Sequence, residues 1–338
     1  MKHHLKALAI VIVTVLLAPL GTVGPSYAAD NGAWSVTPTP PQGGTAAPRT
    51  YFILEGDPGA TIKDKVRIQN WTKKPITFKL YGADAYNTEQ DGFFALRSHG
   101  EKMTDIGRWA KPLISQVTVH GRTQVDVPVT IKIPRNASPG DHIGGIVAMN
   151  AKIESAGDSD SSVDVGIQRA VAARVYLRVN GPTTPALEVS DVELEHDRGI
   201  FPWTGSGKGT VTYTLHNTGN IRLTPTAALT LSGMFGEIES LDAEGLPELL
   251  PGQEVTLSEA VSNVPAFGRV TTDVEVTTAE GPESSGSTTT WLVPWPGLVL
   301  VLLLVGVAAW WLARRRGSAQ RRLDALHEAP QIMVPSNQ

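Results

Sequence analysis

With no cysteine in the chain, carboxylates and imidazoles are the side chains most able to do chemistry. Asp84, Glu89 and Asp91 lie close together, the kind of grouping from which a glycosidase draws its acid and its base. The same stretch also reads as turn chemistry, because Asp side chains cap turns. His99, His120, His142, His196 and His216 are scattered, without the HxH or HExxH spacing of a zinc site. Residues 158–164 (DSDSSVD) place acids at the first, third and seventh positions of an EF-hand template. Val163 stands where that template needs Gly and Arg169 where it needs Glu, so the segment reads as a weak calcium loop or a solvated hairpin tip. There is no GxSxG elbow, no phosphate-cradling Gly loop before a helix and no thiol. The expectation is a chain that is not an enzyme, with no metal, no cofactor and no nucleic-acid partner.

The elements that would position these groups are strands. From Tyr51 onward, apolar and polar residues alternate with period two between Gly, Pro and Asn punctuation, as in residues 62–68, 76–80, 125–133 and 172–179. Short alternating runs of this kind indicate antiparallel β-sandwiches. Residues 101–112 (EKMTDIGRWAKP) leave room for one helical turn. A break at Gly181-Pro182-Thr183-Thr184-Pro185 divides two domains, at 31–181 and 185–278. In the second, strands read over 187–194, 209–216, 227–232, 254–260 and 270–277. Residues 279–290 (AEGPESSGSTTT) read as a flexible polar linker.

The two domains share a weak internal repeat. Residues 66–75 (VRIQNWTKKP) resemble 211–220 (VTYTLHNTGN), each a strand ending in Asn before a turn. His120-Gly121 and Pro251-Gly252 each precede a later alternating strand. The repeat points to two tandem immunoglobulin-like β-sandwiches. Gly144-Gly145 marks a bulge or a close backbone approach inside a strand.

Both ends of the chain are apolar. Residues 5–20, with Lys2 before them and Lys6 at their start, lead to a small-x-small site at Ser26-Tyr27-Ala28, which reads as a signal peptide over 1–28. Residues 291–313 (WLVPWPGLVLVLLLVGVAAWWLA) contain no charge, and five arginines follow between Arg314 and Arg322. That pattern is a transmembrane helix with a cytoplasmic basic tail at 314–338 and residues 30–290 outside. Trp291 and Trp295 at one edge and Trp310 and Trp311 at the other suit interfacial belts. The absence of cysteine in an exported chain fits a Gram-positive source and domains held by their own cores.

Charge is unequal between the halves. Residues 30–181 carry 18 Lys and Arg against 15 Asp and Glu, and residues 182–296 carry 4 against 16. The modestly basic first half, at +3, would favour anionic wall polymers, while the strongly acidic second half, at −12, would repel them and suit a basic partner.

Several short stretches, taken in order, resemble a known family. They are Trp34 to Pro41, Tyr51 to Leu54 with Asp57-Pro58-Gly59, Val66 to Asn70, and Ala83 to Thr88 with Asp91-Gly92. They continue with Ile106 to Trp109, Val129 to Pro134 and Pro139 to Ala148. Together they are similar to the peptidoglycan-binding domain of the WxL-interacting proteins of Gram-positive bacteria. The resemblance implies a membrane-anchored surface scaffold whose first domain contacts peptidoglycan and whose second meets another surface protein, such as a WxL-domain protein. The alternative is a purely protein-binding module without glycan affinity. Trp310-Trp311-Leu312 spells the WxL motif inside the apolar helix, so the chain is not itself a WxL protein. Given glycan binding, Tyr86, Asn87, Phe93, Phe94, Arg97, Arg108 and Trp109 are the expected groove. They offer aromatic faces and hydrogen-bonding groups within a connection longer than sandwiches need. Phe93, Phe94 and Trp109 read equally well as a plug at the end of the sandwich.

Overall fold

The structure is a computed structural model that describes residues 31–41, 49–155, 166–196, 207–243 and 245–327. Residues 1–28, expected as a signal peptide, and the acidic stretch 158–164, read as a weak calcium loop or hairpin tip, lie outside the described residues.

The first domain packs two sheets face to face. One has the order β1 (Trp34–Pro38), β3 (Thr61–Asn70), β8 (Gln124–Lys132) and β6 (Ala110–Pro112). The other runs β2 (Phe52–Gly56), β12 (Ala170–Val179), β9 (Gly140–Asn150), β4 (Ile76–Asn87) and β5 (Phe94–Leu96). β7 (Gln116–Val119) adds to the start of β4, and β10 (Glu154–Ser155) pairs with β11 (Gly166–Ile167). β2 joins β12 in parallel register, while the remaining pairs of this sheet are antiparallel. Alternation explains the core. Val66 and Ile68 of β3 face Phe78 and Leu80 of β4, Ile146 and Ala148 of β9, and Val175 and Leu177 of β12. Trp34 closes one end, its ring centroid 5.2 Å from that of Phe78. Each such large side chain contributes on the order of 1.5–3 kcal/mol on burial. The single helical turn expected in 101–112 is α1 (Ile106–Trp109).

The second domain is a smaller sandwich. β13 (Leu187–His196), β14 (Gly207–Asn217) and β17 (Glu254–Val264) form one sheet. β16 (Gly236–Ala243), β15 (Pro225–Gly233), β18 (Gly268–Thr278) and β19 (Glu283–Leu292) form the other. Val211, Tyr213 and Leu215 meet Leu229, Leu231, Val270 and Val274 between them.

β19 corrects the expected linker at 279–290 and moves the end of the domain from residue 278 to Leu292. All ten of its residues pair with β18. Its Ser and Thr run has the low hydrophobicity of a linker, yet Thr favours extended backbone. Its small inward residues suit a crowded edge, since Gly286 leaves too little room for a methyl group beside Val192. β16 also went unmarked by alternation, because Glu237, Glu239 and Asp242 interrupt its apolar positions.

Only Val293 and Pro294 separate β19 from α2 (Trp295–His327). Within α2, the 21 residues from Trp295 to Arg315 include an 18-residue stretch with a mean hydropathy of 2.3, long and apolar enough to cross a membrane. At 1.5 Å per residue they span about 31 Å, close to a ~30 Å hydrocarbon core. Arg314 and Arg315 fold back over the rings of Trp310 and Trp311, at 4.6 and 3.6 Å from the centroids.

The domains meet through a polar junction around a small apolar cluster. Ile143, Tyr176 and Leu250 are buried together, with Tyr51, Ala85 and Phe94 packed around them. Arg178 makes two hydrogen bonds to Asp141, whose Oδ2 also accepts the Arg222 N–H at 3.1 Å. The Tyr176 hydroxyl lies 3.1 Å from Glu248, which binds Arg222 at 2.8 Å. Asn220 donates to the Pro139 and Pro182 carbonyls and accepts from Thr184 N–H, fastening the inter-domain segment to both sides. Gly140 sits at φ +118, and a methyl group there would lie 2.0 Å from the Asn220 oxygen. Only glycine permits that approach.

Candidate functional site

The connection rich in candidate residues leaves β4 and returns through α1. Asp84, 5 % exposed, accepts backbone N–H bonds from Thr104 at 2.6 Å and Gly107 at 2.7 Å, and longer ones from Asp105. A carboxylate on the N–H groups that open a helical turn stabilises that turn. Asp84 is therefore held as a structural cap, and Asp91 is bonded to the Thr88 hydroxyl. Behind the turn, His142 Nδ1 lies 2.8 Å from Asp105, and Nε2 lies 2.8 Å from the Ser138 carbonyl oxygen. Both partners accept, so the doubly protonated ring fits best. Burial lowers the His142 pKa, but the Asp105 hydrogen bond and charge, the Ser138 carbonyl and Asp141 outweigh it, and the net shift is upward. Burial raises Asp105, partly offset by His142.

The seven expected groove residues do not converge. Asn87, 4 % exposed, donates to the Gly92 and Glu248 carbonyls, and its oxygen accepts the Leu250 N–H. It is a tie between the domains. Trp109, 8 % exposed, packs its ring 4.6 Å from His142. Both are removed from any glycan-facing surface by burial. Arg108 is exposed beside Trp109, and Phe93 is exposed on the turn after β4. Phe94 and Arg97 lie elsewhere, in a groove, with Tyr86 adjacent to Arg97 at 5.6 Å from ring centroid to guanidinium.

That groove, of about 660 Å³, lies on the outer face of the β12–β9–β4 sheet. Cross-strand rows form its floor. Lys79, Met149 and Ala170 are one row, Tyr81, Val147 and Ala172 the next, and Ala83, Gly145 and Arg174 the third. The segment 94–99 is its wall, with the His99 ring edge-on to Tyr81 at 5.0 Å. Gly144 and Gly145 are a close approach and not a bulge, since the register runs through them unbroken. A methyl group at Gly145 would strike Leu96, and one at Gly144 would strike the Ala83 oxygen and Ile106. These glycines let β5 lie over one side of the sheet and α1 under the other.

The groove is cationic. Lys79, Arg97 and Arg174 line it together with Gln168, Ser98 and His99, and among the described residues no carboxylate does. Arg174 stacks over Phe94 at 4.0 Å, and Arg97 shares Glu101 at 3.4 Å. Burial first, and the Glu101 charge second, hold the Tyr81 phenol above its ordinary range, so it is a neutral hydrogen-bonding group at physiological pH. An apolar floor, ring faces and long cations suit a sugar polymer bearing carboxylates. Lys79, Tyr81, His99, Gln168 and Arg174 were absent from the expected set. Period two was the available signal: where Phe78, Leu80 and Val175 face the core, Lys79, Tyr81 and Arg174 must face out. Among the described residues no three His, Asp or Glu side chains gather as a metal site.

Residues 34–150 match the family model of the WxL Interacting Protein, peptidoglycan binding domain. No curated protein matches the chain. Among solved structures, a chaperone–tip adhesin complex of CFA/I fimbriae is 10 % identical, with 78 % of this chain and 99 % of that one covered and a TM-score of 0.34. The Salmonella enterica SafA pilin–SafB chaperone complex is 10 % identical over 72 % of this chain and 93 % of that one, with a TM-score of 0.31. The Pseudomonas aeruginosa CupB2 chaperone is 7 % identical over 72 % and 98 %, with a TM-score of 0.30. These scores carry no functional inference.

Proposed function

Residues 34–150 belong to the peptidoglycan binding domain of the WxL Interacting Protein family, and from that premise we propose that the chain is a membrane-anchored, non-catalytic scaffold that grips the cell wall through its first domain. The observation that carries this reading is the cationic groove on the outer face of β4, β9 and β12. Tyr81 and Phe94 offer faces for sugar rings, and Lys79, Arg97 and Arg174 meet the carboxylates of wall peptides. Two of the three grouped carboxylates are otherwise engaged, Asp84 in capping α1 and Asp91 in bonding Thr88, while Glu89 is exposed on the turn.

In this reading α2 is the anchor, with the arginines after residue 313 inside the cell and both sandwiches outside. The acidic second domain presents its charge to a basic partner, such as another surface protein of the wall. The junction sets the distance of the groove from the membrane, because Asn87, Asn220 and Arg222 leave the two sandwiches little freedom.

The test is cosedimentation of the full chain in detergent with purified peptidoglycan at low and moderate salt. Arg97→Ala with Arg174→Ala should abolish pelleting. Wild-type chain that stays in the supernatant would remove the wall-binding reading. Pelleting lost at modest salt alone would reduce the groove to a diffuse charge effect. The purely protein-binding reading has one observation in its favour. Ile53 is 76 % exposed on β2, an edge strand with an open side. Crosslinking in cells that recovers protein neighbours and no wall sugar would support it.

A further inference from the structure

Among the described residues, the β15–β16 and β17–β18 loops at the end of the second domain nearest α2 carry exposed apolar tips, in a domain that is acidic overall. Register fixes which loops share that end. Gly268 opens β18 opposite Leu292, the last residue of β19, so Phe267 lies beside the entry to α2. Ser232 pairs with Thr271 and Gly233 with Gly236, which brings the β15–β16 tip to the same end. A methyl group built on Gly268 would meet the Met234 sulfur at 3.4 Å, so the two loops touch.

What these loops display is not core. Phe235 is 98 % exposed, Trp291 68 %, and Met234, Phe267 and Trp295 are also open. Residues 232–236, 264–268 and 290–295 meet there without a charged side chain, with Glu237 next in line opposite Ser232, in a region that carries 16 acids against 4 cations between residues 182 and 296. Arg269, exposed and in register with Trp291, and Glu237, next to Gly236, are the first charges behind the apolar tips.

We propose that these loops rest in the outer leaflet of the membrane, with Met234, Phe235, Phe267 and Trp291 inserted at the lipid headgroup boundary and Arg269 on lipid phosphate. The occupant follows from the chain itself. With only Val293 and Pro294 between β19 and α2, the domain has no tether long enough to stand clear of the bilayer that α2 enters. Aromatic and thioether side chains on a protein tip with an arginine behind them are the chemistry of an interfacial anchor. The opposite end of the domain, at Thr218, would then stand about 30 Å above the surface, the length of a ten-residue strand. The inference rests on α2 spanning the membrane.

The native chain has no cysteine, so single labels are straightforward. The full chain would be placed in lipid nanodiscs with an environment-sensitive dye at Glu237→Cys, Thr218→Cys or Val305→Cys. The lipids would carry a quencher either near the headgroup or at the end of the acyl chain. Quenching at 237 by the headgroup probe, at 305 by the acyl-end probe and at 218 by neither is the expected pattern. Phe235→Ser with Phe267→Ser, both outside the core, should abolish quenching at 237 while leaving 305 unchanged. Quenching at 305 with none at 237 would overturn the inference and leave the anchor standing. No quenching at 305 would remove the anchor and the inference with it. Quenching at 237 that survives the double serine variant would show that the tips do not hold the domain down.

Discussion

Asn70 and Asn217 occupy the same structural position in the two sandwiches. Each is fully buried at the end of a strand. Each side-chain amide donates to the carbonyl four residues on, Lys74 or Ile221, at 2.8 Å. Each also donates at 3.0 Å to a carbonyl across the sandwich, Val119 or Leu249. Each amide oxygen accepts the N–H two residues on, from Thr72 at 2.9 Å or Gly219 at 3.0 Å. The turns they face match too, with Arg122 at φ 62 standing where Gly252 has φ 68. Removing either amide strands two buried carbonyls and one N–H, each a desolvation cost of about 1–3 kcal/mol before relaxation. Asn217→Ala should destabilise the second sandwich, and Asn70→Ala the first, by ~2–4 kcal/mol. Denaturant unfolding followed by hydrogen exchange would show whether the loss stays in one domain.

Groove and turn are separable by mutation. Arg174→Ala and Lys79→Ala should weaken wall binding without lowering thermal stability, since both side chains lie on the outer face of the sheet. Arg108→Ala, on the exposed turn, should leave binding unchanged. Trp109→Ala should lower stability by about 3–5 kcal/mol because the ring is buried. Binding isotherms and melting curves on the same samples would separate the two effects.

Rigid coupling of the sandwiches hangs on Gly140. Gly140→Ala forces a methyl group into the Asn220 oxygen and imposes a backbone angle that alanine avoids. The domains should part while each remains folded. Small-angle scattering of the detergent-solubilised chain should report a larger radius of gyration, and Asn87→Ala should do the same more mildly.

Stability should depend on pH through His142. Its folded pKa is raised, so its contribution is full below the unfolded value of about 6.5 and is lost as pH rises through the folded value. Asp105 is also raised, but its effect falls at the acid end, above the usual carboxylate value. The melting temperature should therefore fall as pH rises above about 6.5. His142→Gln should flatten that part of the profile.

Tyr213 is fully buried, and among the described residues its hydroxyl has no hydrogen-bond partner. Burial and the charge of Glu259 hold its phenol far above the ordinary range. Tyr213→Phe should leave stability unchanged or raise it by up to about 1 kcal/mol, by removing an unpaired polar atom. A clear loss on chemical denaturation would contradict this.

The sequence announced the sandwiches wherever one face of a strand was apolar and the other polar, as in β3, β4, β8 and β12. It announced the asparagine repeat as well, because a buried amide at a strand end leaves a recognisable Asn-x-[Thr/Gly] trace. β19 was hidden because an edge strand needs small inward residues, and Ser, Gly and Thr look the same in a linker. The β4–β9–β12 groove was not legible for a different reason. Asn87 and Trp109 stand out by residue type, but the long connection turns inward to cap a helical turn and meet the second domain. Lys79, Tyr81 and Arg174 look ordinary along the sequence, and only the registry of three strands puts them side by side.

The union of β19 with α2 has a mechanical consequence. A load carried from the wall to the membrane would enter the second sandwich at Leu292, along the axis of β19. That strand is bonded along its whole length to β18, so the pull is a shear that stretches all ten residue pairs together. A pull across the strands at that same end would instead unzip one pair at a time. The last strand before the bilayer is thus set in the stronger of the two pulling geometries.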